Sequence, residues 1–295
     1  MKKIAIMFVG QMRTNNLGEN AQDNIILDSI NKYLLNDAFK NTYNYDVFIS
    51  TDEIDIEKTK LYFGDHLKNI NITENNWYYN DLTVNVQSYD YFYNKYLNRI
   101  KNLPYTSYLN SFYQNYRIYC SYKMIIDNEE KTNTNYDYYI KIRLDSRIMQ
   151  DISLLMLLIE KEKKICMEHD HLIIVNNEYK EIFNFIDFIG SFNDKINNSD
   201  NLLNYFFYDT FNDTYPNHMT LNDNEFFFCP ERQIIEYIRH LAKNKNNIIK
   251  DIFTGITYPS FQLIYRGNNQ YGYSNYTDDS IFIPIHSIEY IKNNC

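Results

Sequence analysis

The segment Tyr136-Asp-Tyr-Tyr-Ile-Lys-Ile-Arg-Leu-Asp-Ser-Arg147 reads as a strand that ends abruptly in a carboxylate between two arginines. Side chains alternate across a strand, so this segment has one apolar face and one charged face. The apolar face holds Ile140, Ile142 and Leu144, and the charged face holds Lys141, Arg143 and Asp145. Charged groups on a buried strand need a polar cavity, a partner or a metal. Because open α/β sheets bind ligands beyond the carboxyl ends of their strands, Asp145 is the first candidate functional residue.

Apolar runs before this segment predict the start of a parallel sheet. Residues 3–10 form a continuous apolar run, which is typical of a strand covered on both faces. Residues 24–39 have helical spacing, residues 45–51 predict a second strand, and residues 66–72 predict a third. This strand–helix–strand order favours a right-handed βαβ unit and a mostly parallel sheet.

After residue 72, hydrophobic periodicity predicts secondary structure clearly in some segments and weakly in others. Residues 73–110 are rich in Tyr and Asn with weak periodicity, so we expect them to be irregular. Residues 112–130 predict a helix, and Asp151 is a plausible N-cap for an apolar helix over 152–162. Further predicted elements are strands at 172–175 and 185–190, a helix at 231–243 and strand-like pieces in the tail such as 281–285.

Charge and composition exclude several classes of protein. The chain has 29 basic and 38 acidic residues, a net charge of −9, and no basic block, which argues against nucleic-acid binding. The apolar run at the N-terminus is short and lacks a small-residue cleavage site, and no run is long enough to cross a bilayer. The four scattered cysteines form no CxxC motif. We therefore expect a soluble, cytoplasmic protein without an integral membrane segment.

The seven glycines exclude several nucleotide motifs. They allow neither GxGxxG nor a glycine-rich kinase loop, and the pair Gly267 and Gly272 has Tyr273 where a P-loop has lysine. There is also no GxSxG elbow and no HExxH. The sequence thus argues against NAD-dependent, P-loop and α/β-hydrolase chemistry.

Four pieces in order resemble the GT-A class of nucleotide-sugar glycosyltransferases. They are Gly10-Gln-Met-Arg13 ("GQxR"), residues 45–51 ("YDxFxST"), the helix with Gln114 and Arg117, and residues 136–145 ("YDxxIxxRxD"). The likeness is to the family of bacterial polysaccharide clusters and large DNA viruses, and it covers roughly residues 1–190.

The resemblance implies an α/β, GT-A-like (Rossmann-like) fold with a mostly parallel central sheet flanked by helices. A single domain over 1–295 would have a nucleotide-sugar-binding half, 1–150, and an acceptor-side half, 151–295. The protein would move a sugar from a nucleoside-diphosphate-sugar donor, of UDP or GDP type, to a glycan or another hydroxyl acceptor. Its place would be the cytoplasm, or the host cytoplasm if the chain is viral.

The same resemblance assigns roles to the strand ends. Asp145 would hold Mn²⁺ or Mg²⁺ against the donor diphosphate, since hard cations prefer carboxylate and phosphate oxygens. Arg143 would orient Asp145 or contact phosphate. The usual DxD motif has only one acid here, in Leu144-Asp-Ser146. Arg143 or Arg147 would then carry part of the phosphate binding.

Other residues would bind the donor. Gly10, Gln11 and Arg13 would line the nucleotide pocket, Asp52 would lie near the base or ribose, and Gln114 and Arg117 would face the donor. Simpler interpretations stay open: a surface residue for Arg13, a helix cap for Asp52, a solvated helix charge for Arg117 and a turn residue for Asp145.

Acceptor-side candidates are fewer. Asp187 would act as general base in an inverting transfer, with Glu225 as the alternative base, although each also fits a structural loop acid. His169 and His171 would share one strand face, but no third ligand is near in sequence. By the resemblance, His286 would be a late metal or phosphate ligand, although it also fits an ordinary core-edge histidine.

Two other functions remain open at this point. One is a non-catalytic GT-A-like protein that binds a nucleotide or a glycan, which the single-acid motif suggests. The other is a sugar-phosphate nucleotidyltransferase, which needs a glycine-rich N-terminal loop with a basic residue, whereas this chain has only Gly10 there.

Overall fold

The computed structural model describes residues 1–11, 17, 25–79, 84–100, 108–148, 151–162, 165–168, 171–186 and 261–263. The chain divides into two compact units, each built from separate segments. The first contains Met1–Val84, Met124–Glu178 and Asp251–Cys295, and the second contains Asn85–Lys123 and Tyr179–Lys250. The expected division into halves at residue 150 stays a prediction.

Strands of the described residues build one large sheet and one small one. In chain order the strands are β1 (Lys2–Val9), β2 (Tyr43–Thr51), β3 (Leu67–Ile72), β4 (Trp77–Tyr78), β5 (Tyr138–Arg143), β6 (Ser146–Ile148), β7 (Cys166–Glu168), β8 (Leu172–Asn176) and β9 (Phe261–Leu263). The large sheet has the order β4-β3-β2-β1-β5-β8-β7, and β6 pairs with β9 separately.

The large sheet is mixed, with a parallel centre. β1 is parallel to both β2 and β5, and β2 is parallel to β3. β4 runs antiparallel to β3, and β8 runs antiparallel to both β5 and β7. β4 follows β3, and β8 follows β7, through connections of a few residues, which requires antiparallel pairing because a parallel crossover needs a dozen or more residues. The hairpin β7–β8 thereby places β8 antiparallel beside β5. The predicted α/β class is therefore confirmed, with antiparallel strands added at both edges.

The described residues contain six helices. They are α1 (Ile25–Tyr33), α2 (Asp37–Thr42), α3 (Ile56–Phe63), α4 (Tyr89–Ile100), α5 (Tyr108–Thr132) and α6 (Ile152–Glu162). In the part of the chain that the structure describes, 3₁₀ segments lie at Gly64–His66, Thr73–Asn75 and Asn177–Asn184.

One face of the sheet packs against α1 and α6 in a continuous apolar core. Ile6 and Ile140 from the central strands are fully buried there together with Ile30 and Leu155 from the two helices. The alternation of β5 puts Tyr139 on the opposite face, where its hydroxyl donates to Oε1 of Glu129 on α5 at 2.6 Å. Both faces of the central strands are thus covered, as the continuous apolar run in β1 predicts.

Several predicted elements are confirmed. α5 contains the helix predicted over 112–130 and is longer at both ends. α6 has the predicted bounds, and the backbone N–H of Ser153 donates to Oδ1 of Asp151 at 2.8 Å. β8 matches the strand predicted at 172–175. The helix predicted at 231–243 and the strand at 281–285 lie outside the described residues.

The predicted helix over 24–39 is two helices. Asn36 separates α1 from α2, because its Oδ1 accepts from the backbone N–H of Phe39 at 3.0 Å and caps the second helix. A side chain that satisfies a helix N-terminus starts a new helix instead of continuing the old one.

Two other predictions are wrong. The supposedly irregular stretch 73–110 contains β4, α4 and the start of α5. Its tyrosines hide the helical pattern, since a tyrosine suits both the buried and the exposed face of a helix. The strand predicted at 185–190 is also wrong where it is described, because Phe185 and Ile186 are helical. Tyr179, Ile182 and Ile186 are all buried at helical spacing.

Candidate functional site

The carboxyl ends of three parallel strands meet at one point of the sheet. In the register, Val9 of β1 lies between Ser50 of β2 and Arg143 of β5. The backbone N–H of Gly10 donates to the Ser50 carbonyl at 3.1 Å, and that of Leu144 donates to the Val9 carbonyl at 3.1 Å. Because β2 and β5 lie on opposite sides of β1, this is a topological switch point, where α/β sheets bind ligands.

Gly10 takes a backbone conformation that favours glycine. Its φ is +133°, in the region that side chains with a Cβ rarely adopt. A Cβ at this position would lie 3.6 Å from the backbone N of Leu144, which is an ordinary contact. The requirement for glycine is therefore conformational and not steric. Gln11 follows, half-buried, whereas Arg13 lies outside the described residues.

Arg143 and Asp145 form a forked ion pair just beyond β5. Nε of Arg143 donates to Oδ1 of Asp145 at 2.8 Å, and Nη2 donates to Oδ2 at 3.0 Å. The side chain of Asp145 is 1% exposed and that of Arg143 is 15% exposed. Such a bidentate pair is shorter and stronger than a neutral hydrogen bond and fixes the plane of the guanidinium. Asp145 is therefore more than a turn residue.

The surroundings of Asp145 do not fit the divalent cation that the resemblance implies. Both carboxylate oxygens already accept from Arg143, and a cation bound there would lie beside a guanidinium of the same sign. Among the residues that the structure describes, no three His, Cys, Asp or Glu side chains are placed to hold a metal ion. The Mn²⁺ or Mg²⁺ at Asp145 stays a prediction that these contacts do not favour.

Asp52 stabilises the turn after β2. Its Oδ1 accepts from Oγ1 of Thr51 at 3.1 Å and from the backbone N–H of Glu53 at 3.2 Å. The helix-cap interpretation of Asp52 is wrong, because the cap of α3 is Asp55, whose Oδ1 accepts from the N–H of Lys58 at 3.0 Å. Asp52 is half-buried just beyond the carboxyl end of β2, and its donor-binding role stays a prediction.

A buried polar network beneath this turn was not predicted. Oγ of Ser50 donates to Oδ1 of Asn71 at 3.1 Å, and Oγ1 of Thr73 donates to the Thr51 carbonyl at 3.0 Å. All four residues are buried. The only sequence signal is that Ser50 and Thr51 are polar at the end of an apolar strand. The network holds the ends of β2 and β3 in register.

A second unpredicted contact lies next to the ion pair. Oγ of Ser146 is 2.7 Å from Nδ1 of His171, and the His171 carbonyl accepts from the backbone N–H of Arg143 at 3.0 Å. His171 thus has a structural partner, and no signal in the sequence links it to Ser146. Its predicted neighbour His169 lies outside the described residues.

The remaining candidates lie in the second unit or outside the described residues. Gln114 and Arg117 lie on the part of α5 that belongs to the second unit, so their donor-binding role stays a prediction. Arg117 is 5% exposed, so its interpretation as a solvated helix charge is wrong. The residues Asp187, Glu225 and His286 lie outside the described residues.

Comparisons with known proteins add no assignment. No family model matches the chain, and neither a curated protein nor a solved structure matches it. In the part of the chain that the structure describes, no helix is both long enough and apolar enough to span a membrane.

Proposed function

We propose that this chain is a glycosyltransferase that moves a sugar from a nucleoside-diphosphate-sugar donor to a glycan or another hydroxyl acceptor. The observation that carries the proposal is the position of the Arg143–Asp145 pair, at the switch point in the parallel centre of the sheet and beside Gly10. The order of the sequence motifs supports a GT-A-like fold, and the parallel centre β3-β2-β1-β5 is consistent with it.

Each residue at this edge has a chemical task in the proposed reaction. The departing nucleoside diphosphate gains negative charge, which the guanidinium of Arg143 would stabilise through charge-assisted hydrogen bonds. Gly10 has no side chain, so a phosphate or ribose group can approach the backbone there. Asp52 would accept hydrogen bonds from donor hydroxyls. The acceptor base would be Asp187 or Glu225.

A second function is favoured by one specific contact. Both oxygens of Asp145 accept from Arg143, and the positive charge of the guanidinium disfavours a cation at the same carboxylate. A non-catalytic protein that binds a nucleotide or a glycan with the same fold would tolerate this arrangement. Donor hydrolysis separates the two functions, since a binding protein turns over no donor.

Thermal unfolding with UDP, GDP, dTDP, CDP and CMP, each with EDTA or Mn²⁺, tests the proposal. A ligand that binds only the native state stabilises it by about 2.7 kcal/mol at a hundred times its Kd. We expect one nucleotide to raise the Tm of the wild type and to have no effect on Asp145→Ala. The matched control is Asp127→Ala, which also removes an ion-paired carboxylate, here from a pair with Lys131 on α5.

The sugar conjugates of the binding nucleotide then test catalysis. Slow release of the nucleoside diphosphate, lost in Asp145→Ala and retained in Asp127→Ala, would support a transferase. Binding without any release, even with a range of glycan acceptors, would favour the non-catalytic alternative. Folded wild type that responds to none of the nucleotides would contradict both functions that use this site for a nucleotide.

A further inference from the structure

The geometry of the Arg143–Asp145 pair indicates which residue orients the side chain of the other. The carboxylate faces the Nε–Nη2 edge of the guanidinium and accepts one hydrogen bond on each oxygen, at 2.8 and 3.0 Å. Two parallel hydrogen bonds fix both the position and the plane of a guanidinium. Asp145 thus sets the orientation of the long and otherwise flexible Arg143 side chain.

Burial differs sharply between the partners. The side chain of Asp145 is 1% exposed, whereas that of Arg143 is 15% exposed. Arg143 is therefore the more accessible partner of the pair. An incoming group that suits this surface is an anion, because a guanidinium carries only donors and a positive charge.

Backbone hydrogen bonds fix the position of the turn that carries the pair. The N–H of Arg143 donates to the His171 carbonyl at 3.0 Å, and the N–H of Leu144 donates to the Val9 carbonyl at 3.1 Å. Oγ of Ser146, the residue after Asp145, is 2.7 Å from Nδ1 of His171. The carboxylate therefore lies on a turn whose backbone is hydrogen-bonded to β1 and to the residue before β8, which favours a fixed position for the arginine.

We propose that Asp145 is a positioning residue that holds Arg143 as a metal-independent binding group for the diphosphate of the ligand. This inference rests on the proposed function for the identity of the ligand, a nucleoside diphosphate. The resemblance implies that Arg143 orients Asp145 as a metal ligand. In this proposal the roles are exchanged, and Asp145 orients Arg143. The protein would offset the phosphate charge with a fixed guanidinium, and a divalent cation would add little.

Calorimetric titration of the full chain with inorganic pyrophosphate, UDP and GDP, each in EDTA and in Mn²⁺, tests this inference. We expect the wild-type Kd to agree within about twofold between the two conditions. Asp145→Asn and Arg143→Lys should each weaken binding about tenfold or more in both conditions, since a charge-assisted fork contributes about 1.5–3 kcal/mol. Asp127→Asn, which alters an ion pair on α5, should leave the Kd unchanged.

Electron paramagnetic resonance of Mn²⁺ tests directly whether the wild-type protein binds the cation. Because it uses only wild-type protein, folding defects in the variants do not affect it. We expect the signal of free Mn²⁺ to be undiminished by one equivalent of protein. Stoichiometric loss of that signal would overturn the inference. A second result would also overturn it. This is a Kd that falls more than tenfold when Mn²⁺ is added, together with an Asp145→Asn variant that loses only this effect of Mn²⁺.

The three probes distinguish failure of the inference from failure of the proposed function. Pyrophosphate that binds with the expected Asp145 dependence, while no nucleotide binds, would contradict the proposed function and support the positioning role. A nucleotide that binds only with Mn²⁺ would support the proposed function and overturn the positioning role. No binding of pyrophosphate to folded wild type would overturn the inference outright.

Discussion

The hydroxyl of Tyr136 donates a hydrogen bond of 2.7 Å to Oδ2 of Asp46, ninety positions earlier in the chain. The same carboxylate pairs with Nζ of Lys3 at 3.0 Å and with Nζ of Lys68 at 3.3 Å. Asp46 is only 5% exposed. One buried carboxylate on β2 thus joins β1, β3 and Tyr136 in the segment before β5, which makes it a central polar contact of the sheet.

Asp46→Asn should destabilise the fold strongly. The amide removes the charge that compensates two lysines and leaves the Tyr136 hydroxyl with a weaker acceptor. Because Lys3 and Lys68 are partly exposed, we expect the loss typical of a hydrogen bond to a charged group, about 1.5–3 kcal/mol. Urea unfolding followed by circular dichroism would measure it. Asp127→Asn is the matched control, because its pair with the half-exposed Lys131 contributes at most about 1 kcal/mol. Equal losses in the two variants would contradict a central role for Asp46.

Alkaline pH should unfold the protein through its buried tyrosines. Burial raises the pKa of Tyr43, Tyr62 and Tyr116, and it raises the pKa of Tyr136 further beside the Asp46 carboxylate. In the unfolded chain these groups ionise near a pKa of about 10. Below that pH both states stay protonated; above it only the unfolded state loses protons, so stability falls by about 1.4 kcal/mol per pH unit for each tyrosine.

Urea unfolding at several pH values from about 8 to about 11 measures this slope around the ordinary tyrosine pKa. Tyr136→Phe should lower stability at neutral pH by about 1–2 kcal/mol, through the lost hydrogen bonds. The same variant should make the alkaline slope shallower by one proton. A free energy of unfolding that is independent of pH over this range would show that these tyrosines ionise in the native state.

Gly10→Ala should lower both stability and ligand binding. The methyl group has space, so the loss comes from forcing alanine to φ +133°, a cost of about 1–3 kcal/mol. Gly64→Ala is a suitable control, since Gly64 has φ +55° and ψ −137° and follows α3. Both variants should unfold at lower urea, but only Gly10→Ala should weaken nucleotide binding. Normal affinity in Gly10→Ala would remove Gly10 from the proposed site.

The caps of α2 and α6 should be energetically coupled. Oδ1 of Asn36 caps α2 and also accepts from Oγ of Ser153 at 3.3 Å, while its Nδ2 donates to Oδ1 of Asp151 at 3.3 Å. Asn36→Ala and Asp151→Ala should each cost about 0.5–2 kcal/mol as lost caps. Because the two side chains contact each other, the double variant should cost less than the sum by about 0.5 kcal/mol or more. Strict additivity would show that the two caps act independently.

Much of the fold was readable from local patterns. The apolar run of β1, the alternation along β5 and the cap at Asp151 each depend on residues within a few positions of one another. Backbone geometry imposes the periods of two and 3.6 residues directly on side-chain burial, so such patterns survive in the sequence. The same approach did not predict α4. Its tyrosines suit both the buried and the exposed face of a helix, so the apolar residues show no clear 3.6-residue period.

The polar contacts of the site required the tertiary structure. Nothing in the spacing of Ser146 and His171, or of Asp46 and Tyr136, shows that they meet, because strand register and packing bring them together. Even Arg143 and Asp145, two positions apart, could have faced a metal or each other. The turn beyond β5 directs the carboxylate into its fork with the arginine, and burial of Asp145 then makes that pairing energetically necessary.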